Sequence, residues 1–365
     1  MWLPADVLAF AKRHATMPTL SVYVAGGLST PTMHGAARVV LHQQIDAARE
    51  RAEVDGDSAE AFQACTVLLQ QHLPTDAALH RLGTWFCFVT EAGDVVSGSV
   101  PDILDASVSW DEGPALVPLL GIGTPTPAFV LLLDHEHARL HRLEDDVLVT
   151  LHDEAVAPLA VAGDHMGSQP KQGFHQGTHG ETLTERTQRR RRAGRERLQA
   201  SMRRLVESTL GDTGVLVVGG ADEATRTFVA SLPVRLARRA VIAPDLRVET
   251  GTAHAVKQAR RELHQLVDRD QCRWFDVLRE DRLGAGRAAS GPPDVERALA
   301  LGDVAQLVMS RAFAKSHARV ANRFALRAIA EGADVQVATL DAATRLDERA
   351  MGIAAELRFG MGSPR

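Results

Sequence analysis

The first third of the chain alternates apolar and polar positions in a way that predicts strands and helices in turn. Runs rich in β-branched and aromatic residues predict buried strands at Leu20–Val24 and Gly83–Thr90, and Val95–Val100 would pair back onto the second strand after a turn. Apolar residues recur at helical spacing in Ala36–Val54 and Ala59–His72. This pattern predicts an α/β domain.

The middle third contains continuous apolar runs, as expected for strands covered on both faces. Strands are predicted at Ala128–Asp134, His137–Leu143, Asp146–His152, Gly214–Gly219 and Val241–Ala243. Between them lie a polar loop at 163–181, a long helix at 182–208 and a shorter helix at Ala221–Ser231. This order predicts a mixed-sheet α/β layer with the long helix packed on one face.

The last third is rich in predicted helices that alternate with short strands. Helices are expected at Gly251–Asp270, Asp294–Leu301, Ser316–Glu331 and Asp341–Arg349, and strands at Val304–Met309, Val335–Leu340 and Ile353–Phe359. Asp294, behind two prolines, is the expected N-cap of its helix. With a proline-bounded junction at 114–127, the pattern predicts three domains, at 1–123, 124–243 and 244–365, the last an α/β sandwich.

Composition narrows the class of protein. Hydrophobic residues make up 45% of the chain and charged residues 24%, as in soluble globular proteins. No apolar run approaches 18 residues, and the amphipathic start MWLPADVLAFAKRH lacks the apolar core of a signal peptide. Cys65, Cys87 and Cys272 are far apart in the sequence, which favours buried thiols in a reducing cytoplasm over disulfides or a zinc site.

The predicted long helix carries most of the unusual charge. From Arg186 to Arg204 it has nine arginines against one acid, Glu196, in a chain of net charge -5. Arginine suits phosphate because its planar fork makes bidentate contacts and stays ionised. Arg189–Arg192 point in four successive directions around a helix, so no single protein surface could neutralise them. Nucleic acid is therefore the leading predicted partner, and a solvated helix face is the alternative.

Other groups of residues are weaker candidates for a functional site. Gly219 and Gly220 follow a strand and precede a helix, but the full spacing of a phosphate-binding motif is missing. Neither Ser168 nor Ser290 has the context of a catalytic serine. Three loop histidines lie close in sequence without a nearby cysteine, so RNA contacts are favoured over a metal site; these are His165, His175 and His179. Five acids could line a metal-dependent nuclease site: Asp134, Glu136, Asp145, Asp146 and Asp153.

The order of these features resembles a known superfamily. A polar loop leads into the arginine-rich helix, the third domain carries GRAASGPPDVERALALGDVAQLVMS at 286–310, and MGIAAELRF occupies Met351–Phe359. Together they resemble the superfamily of archaeal and eukaryotic peptide chain release factor one and Pelota. The resemblance is closer to its bacterial branch, the Balon-like ribosome hibernation factors and their mycobacterial relatives. It implies a three-domain, release-factor/Pelota-like α/β fold over nearly the whole chain.

Release factors of that superfamily carry a Gly-Gly-Gln tripeptide before the long helix, where the glutamine helps to place the water that cleaves peptidyl-tRNA. The corresponding stretch here, PKQGFHQGTHGE at 170–181, lacks this tripeptide. Gln176 is the best counterpart, although His175 before it restricts the backbone as glycine would not. Gly173–Gln176 also fits the relaxed Gly-x-x-Gln arrangement of a quality-control peptidyl-tRNA hydrolase. Gln176 is thus the catalytic candidate.

The resemblance implies a cytoplasmic translation factor of the hibernation or rescue type that binds the ribosomal A site and is non-catalytic because the tripeptide is absent. The first domain would face the decoding region, and an elongation-factor GTPase would accompany the factor. No cofactor or metal is implied. The residues expected to contact RNA are Lys171, His175, Gln176, His179, Arg186, Arg189, Arg190, Arg191, Arg192 and Arg195. Two alternatives stay open: a peptidyl-tRNA hydrolase or release-factor-like enzyme using Gln176, and a metal-dependent RNA nuclease.

Overall fold

The computed structural model describes residues 3–27, 30–56, 58–75, 83–100, 102–122, 127–144, 147–156, 183–211, 213–282 and 286–359. The chain forms two compact units. Unit 1 joins Met1–Gly123 to Val267–Arg365, and unit 2 spans Thr124–Leu266. The three-domain division therefore stays a prediction. Its boundary at 244 differs from the structure, since residues up to Leu266 belong with unit 2.

The N-terminal part of unit 1 is an antiparallel sheet of order β3-β2-β1-β4. Its strands are β1 (Pro18–Ala25), β2 (Thr84–Thr90), β3 (Val95–Val100) and β4 (Ser107–Glu112), and its helices are α1 (Ala5–Arg13), α2 (Pro31–Asp55), α3 (Ala59–His72) and the short α4 (Val117–Leu120). The predicted strands and helices are confirmed here. α2 begins earlier than predicted because the Thr30 side chain caps it by accepting from the backbone N–H of Met33.

Unit 2 is a mixed five-stranded sheet of order β7-β6-β5-β8-β9. Its strands are β5 (Ala128–Leu133), β6 (His137–Glu144), β7 (Val147–Ala155), β8 (Val215–Gly220) and β9 (Ala240–Ala243). Its helices are α5 (Leu183–Leu210), α6 (Asp222–Ser231), the short α7 (Val234–Ala237) and the first half of α8 (Thr252–Val277). From Val267 onward α8, which continues as a π-helix over Leu278–Arg282, belongs to unit 1. β5, β8 and β9 run parallel, and β6 and β7 form an antiparallel hairpin at the edge.

Both faces of the unit 2 sheet are covered, which explains the continuous apolar runs of β5 and β8. Phe129, Leu131 and Leu133 point to the face that carries α5 and α6. Val130 and Leu132 point to the opposite face, against the first half of α8. That packing is the physical reason why residues predicted to open the third domain belong to unit 2 instead.

The C-terminal part of unit 1 is a mixed sheet of order β10-β13-β11-β12. Its strands are β10 (Ala288–Ser290), β11 (Val304–Ser310), β12 (Asp334–Ala338) and β13 (Ile353–Leu357), and its helices are α9 (Pro292–Leu301), α10 (Arg311–Ser316), α11 (Ala318–Ala330) and α12 (Leu340–Ala350). Two sequence predictions were wrong in detail. The N-cap of α9 is Gly291, and Asp294 lies in its first turn. The predicted helix Ser316–Glu331 is interrupted at His317.

The two sheets of unit 1 share one hydrophobic core, formed by the first sheet's Tyr23 and Phe88 together with Leu299 and Phe324 from the C-terminal part. The buried Asn322 side chain adds two hydrogen bonds across this core. Its amide donates to the Pro114 carbonyl at 3.0 Å and its oxygen accepts from the Leu116 N–H at 2.8 Å. A buried amide paired on both sides fixes the contact, so the first and last thirds of the chain pack as one body.

Candidate nucleic-acid interface

The C-terminal half of α5 anchors the helix to the sheet. Leu198, Met202, Val206 and Leu210 recur every four residues, which places them on one side of the helix, and all four are buried. They pack against Phe129, Leu131 and other residues of β5, β6 and β8. The prediction that this helix packs on one face of the sheet is confirmed.

The N-terminal half of α5 extends beyond that sheet. Leu210 lies level with the start of β8, because its carbonyl accepts from the Gly214 N–H at 3.0 Å. Gly194 lies against Val156, which follows the end of β7. The helix between these contacts is about 24 Å long, close to the roughly 20 Å of a six-residue strand. Residues 183–193, named here the arginine arm, therefore project about 16 Å further.

The four arginines of the arm whose side chains are described lie exposed around the helix. Arg189, Arg190, Arg191 and Arg192 are all exposed, and successive helical positions differ by about 100°, so the four side chains encircle the helix. Arg192 donates from Nε to Oε1 of Glu196 at 3.1 Å, but its side chain is 83% exposed. Such an exposed i,i+4 pair is worth only about 0.3–0.5 kcal/mol. A phosphate can therefore replace Glu196 at little energetic cost.

The structure brings together some of the predicted RNA-contacting residues. Arg189–Arg192 lie on the arm, and Arg195 is exposed beside its base. Arg186 belongs to the helical backbone of α5, but its side chain is outside the described residues. The loop candidates Lys171, His175, Gln176 and His179 fall outside the described residues and stay predictions.

The contacts between α5 and the end of β7 involve residues that sequence analysis missed. The Ser201 hydroxyl donates to Oε2 of Glu154 at 2.8 Å, and Nε2 of His152 lies 3.3 Å from the same carboxylate oxygen. Gly194 sits in the helix interior, where glycine is unfavourable. That glycine was the available signal, because a glycine inside a strong helical pattern marks a close approach of another segment.

The Gly219–Gly220 pair has a structural role. A Cβ on Gly220 would lie 1.8 Å from the Leu133 carbonyl oxygen, and one on Gly219 would lie 2.4 Å from Cβ of Leu246. The Gly220 N–H donates to the Leu246 carbonyl at 2.7 Å, and the Ala221 N–H to that of Leu133 at 3.0 Å. Glycine is thus required by close packing, and these two N–H groups are already used. The pair does not form a phosphate cradle.

Two of the acids considered for a nuclease site, Asp134 and Asp153, have local structural roles. Oδ1 of Asp134 accepts from the N–H groups of Glu136 and His137, both at 2.6 Å, and caps the β5–β6 turn. Asp153 pairs with Arg139 at 3.0 Å across β6 and β7. Asp145 and Asp146 lie outside the described residues. Within the described ranges, His, Cys, Asp and Glu side chains form no group of three that could hold a metal ion.

Comparisons with known proteins return structures of translation-related factors. No protein-family model matches the chain, and no curated relative matches it. Archaeoglobus fulgidus Pelota is similar at 15% identity and a TM-score of 0.39, over 77% of this chain and 80% of its own. Dom34 of S. cerevisiae, a translation termination-like factor in RNA quality control that interacts with Hbs1, is similar at 10% identity and a TM-score of 0.41, over 77% and 80%.

The archaeal translation termination factor aRF1 is similar at 18% identity over 97% of both chains, with a TM-score of 0.27. These values describe a limited likeness, so the function of this chain must be inferred from its own residues. None of the helices in the described ranges has the length and apolar character that a membrane span requires. The strongest feature of the chain's own chemistry is the arginine arm.

Proposed function

We propose that this chain is a translation factor that binds the ribosome and contacts ribosomal RNA through the arginine arm. The observation that carries the proposal is the exposure of Arg189–Arg192 around the whole circumference of a helix that projects about 16 Å from its sheet. A flat protein surface could contact one side of such a helix. Folded RNA can surround it, because phosphates can approach from every direction.

The sequence resemblance makes the proposal more specific. It favours a factor of the bacterial Balon-like branch, of hibernation or rescue type, that occupies the A site and is accompanied by an elongation-factor GTPase. The loop at 163–181 precedes the arm in the chain, so the arm would lead it toward the peptidyl-transferase centre. The absence of Gly-Gly-Gln supports a non-catalytic role. A peptidyl-tRNA hydrolase using Gln176 is the alternative, supported by the GFHQ pattern at Gly173–Gln176.

Ribosome co-sedimentation with and without tRNA in the A site tests the proposal. The protein should pellet with vacant ribosomes and with ribosomes that carry only P-site peptidyl-tRNA, and A-site tRNA should compete with it. Replacing Arg189–Arg192 together with glutamine, which keeps helix propensity, should weaken binding by about a hundredfold, the loss of four phosphate contacts of modest strength. Binding that A-site tRNA does not affect would contradict the assigned site.

A further inference from the structure

The base of the arginine arm contains a contact that only glycine permits. A Cβ on residue 194 would lie 2.8 Å from Cγ1 of Val156, which is closer than carbon atoms approach. Glycine in a helix interior costs about 1 kcal/mol relative to alanine. α5 therefore gives up helix stability at the point where it contacts the chain after β7. The close approach itself accounts for the glycine.

Val156 is held in place from the sheet side. Its N–H donates to the Glu136 carbonyl at 2.7 Å, and its side chain packs against the core beneath α5. Two residues earlier, Glu154 accepts from Ser201 at 2.8 Å. Gly194 and Ser201 are seven residues apart, which places them two turns apart on the same side of the helix. The end of β7 thus supports α5 at two points along one line.

The first of these supports is also the last packed contact before the arm. From Thr187 to Arg192 the side chains are exposed, so among the described side chains of α5 the packing against the sheet begins at the base of the arm. A tilt of about 10° at Gly194 would move the start of the helix by roughly 3 Å, which exceeds the tolerance of a hydrogen bond. The geometry at residue 194 therefore decides where the arginines are presented.

We propose that Gly194 is a positioning residue: its contact with Val156 fixes the direction of the arginine arm. The role in binding rests on the proposed function, whereas the role in geometry does not. Gly194→Ala should push the helix away from Val156 and tilt the arm. Val156→Ala in the same chain removes the methyl group that the new Cβ would meet, so the double variant should restore the original direction.

The geometry can be measured without RNA. Spin labels on cysteines at the exposed positions Thr187 and Thr227 report the distance between the arm and α6, with Cys272 replaced by serine. Cys65 and Cys87 are buried, and burial raises their thiol pKa to about 11 and about 12, so they should resist labelling. Gly194→Ala should shift or broaden the distance distribution, and Gly194→Ala with Val156→Ala should return it to that of the parent.

Ribosome binding by the unlabelled variants supplies the second readout. Gly194→Ala should bind about fivefold more weakly, as expected when one or two charge-assisted contacts are displaced, and the double variant should bind like the parent. An unchanged distance distribution in Gly194→Ala would overturn the positioning role whatever the binding data show. If Gly194→Ala shifts the distance distribution, but neither Gly194→Ala nor the variant with Arg189–Arg192 replaced by glutamine loses ribosome affinity, the proposed function and the role of Gly194 in it would be overturned.

Discussion

Two long helices pack against opposite faces of the same five-stranded sheet, α5 through its C-terminal half and α8 through its first half, yet they distribute charge differently. The 26-residue α8 interleaves five basic and four acidic side chains, and its first buried residue, Ala255, comes three residues after its start. The 28-residue α5 has nine arginines and one acid between Arg186 and Arg204. The first buried side chain described in α5 is Leu198, fifteen residues after its start.

The two helices show which features packing against this sheet requires: an apolar stripe, but not an extended arm of like charge. Both helices meet the sheet through an apolar stripe, and α8 shows that a long helix here can be packed from its first turn and balanced in charge. The sheet therefore requires neither the length nor the charge of the arginine arm. Because like charges at neighbouring helical positions are destabilising, the arm lowers helix stability, and the proposed binding of RNA would offset that cost.

The largest expected effects come from the buried residues through which α5 and α8 both pack against the sheet. Met202 of α5 and Leu263 of α8 are both fully buried against the sheet. Replacing either with alanine should lower the free energy of unfolding by about 3 kcal/mol, through lost burial and the cavity left behind. Urea unfolding followed by circular dichroism measures this loss. Arg190→Ala, at an exposed position, serves as the control. A neutral Met202→Ala would show that α5 is not anchored where its packing indicates.

A smaller effect is expected in the loop that leads into α5. Gln176→Ala should reduce ribosome affinity by at most about thirtyfold, since one or two polar contacts are worth roughly 1–2 kcal/mol. The parent should release no labelled peptide from ribosomes that carry peptidyl-tRNA in a single-turnover assay. Release by the parent that disappears in Gln176→Ala would make the chain a hydrolase. Release that survives the change would direct attention to Gln169 and Gln172.

The smallest effect concerns the α8 side of the sheet. His141 is buried there, and its Nδ1 lies 3.1 Å from the Thr150 hydroxyl. Burial lowers its pKa below the ordinary 6.5, with a further contribution from Arg139 that Asp153 opposes. The unfolded chain then binds a proton more readily than the folded one, so this histidine's contribution to stability falls as the pH drops below 6.5.

Thermal unfolding tests this pH dependence. Between about pH 7.5 and about pH 5.5, the parent's Tm should fall slightly more than that of His141→Gln. Equal slopes would show that the protonation of His141 is not linked to folding.

The sequence predicted most of the fold but only part of the candidate site. Continuous apolar runs located β5 and β8 because both faces of the sheet are covered. β4 and β10 were missed: Ser107–Glu112 is largely polar, and β10 has three residues. The predicted boundary at 244 differs from the division between the two units after Leu266, because the apolar stripe of α8 does not indicate which sheet it covers. Arg189–Arg192 were identified from charge alone, whereas the Gly194–Val156 contact depends on tertiary structure.

The most direct test of the arginine arm compares the salt dependence of ribosome binding in three proteins. These are the parent, the arm variant with Arg189–Arg192 replaced by glutamine, and a control that loses four exposed positive charges from α8, at Lys257, Arg261, Arg269 and Arg273. If each arm arginine neutralises a phosphate, the slope of log K against log salt should flatten by about 3 in the arm variant and stay near the parent value in the control. Equal slopes and affinities in all three proteins would contradict the account.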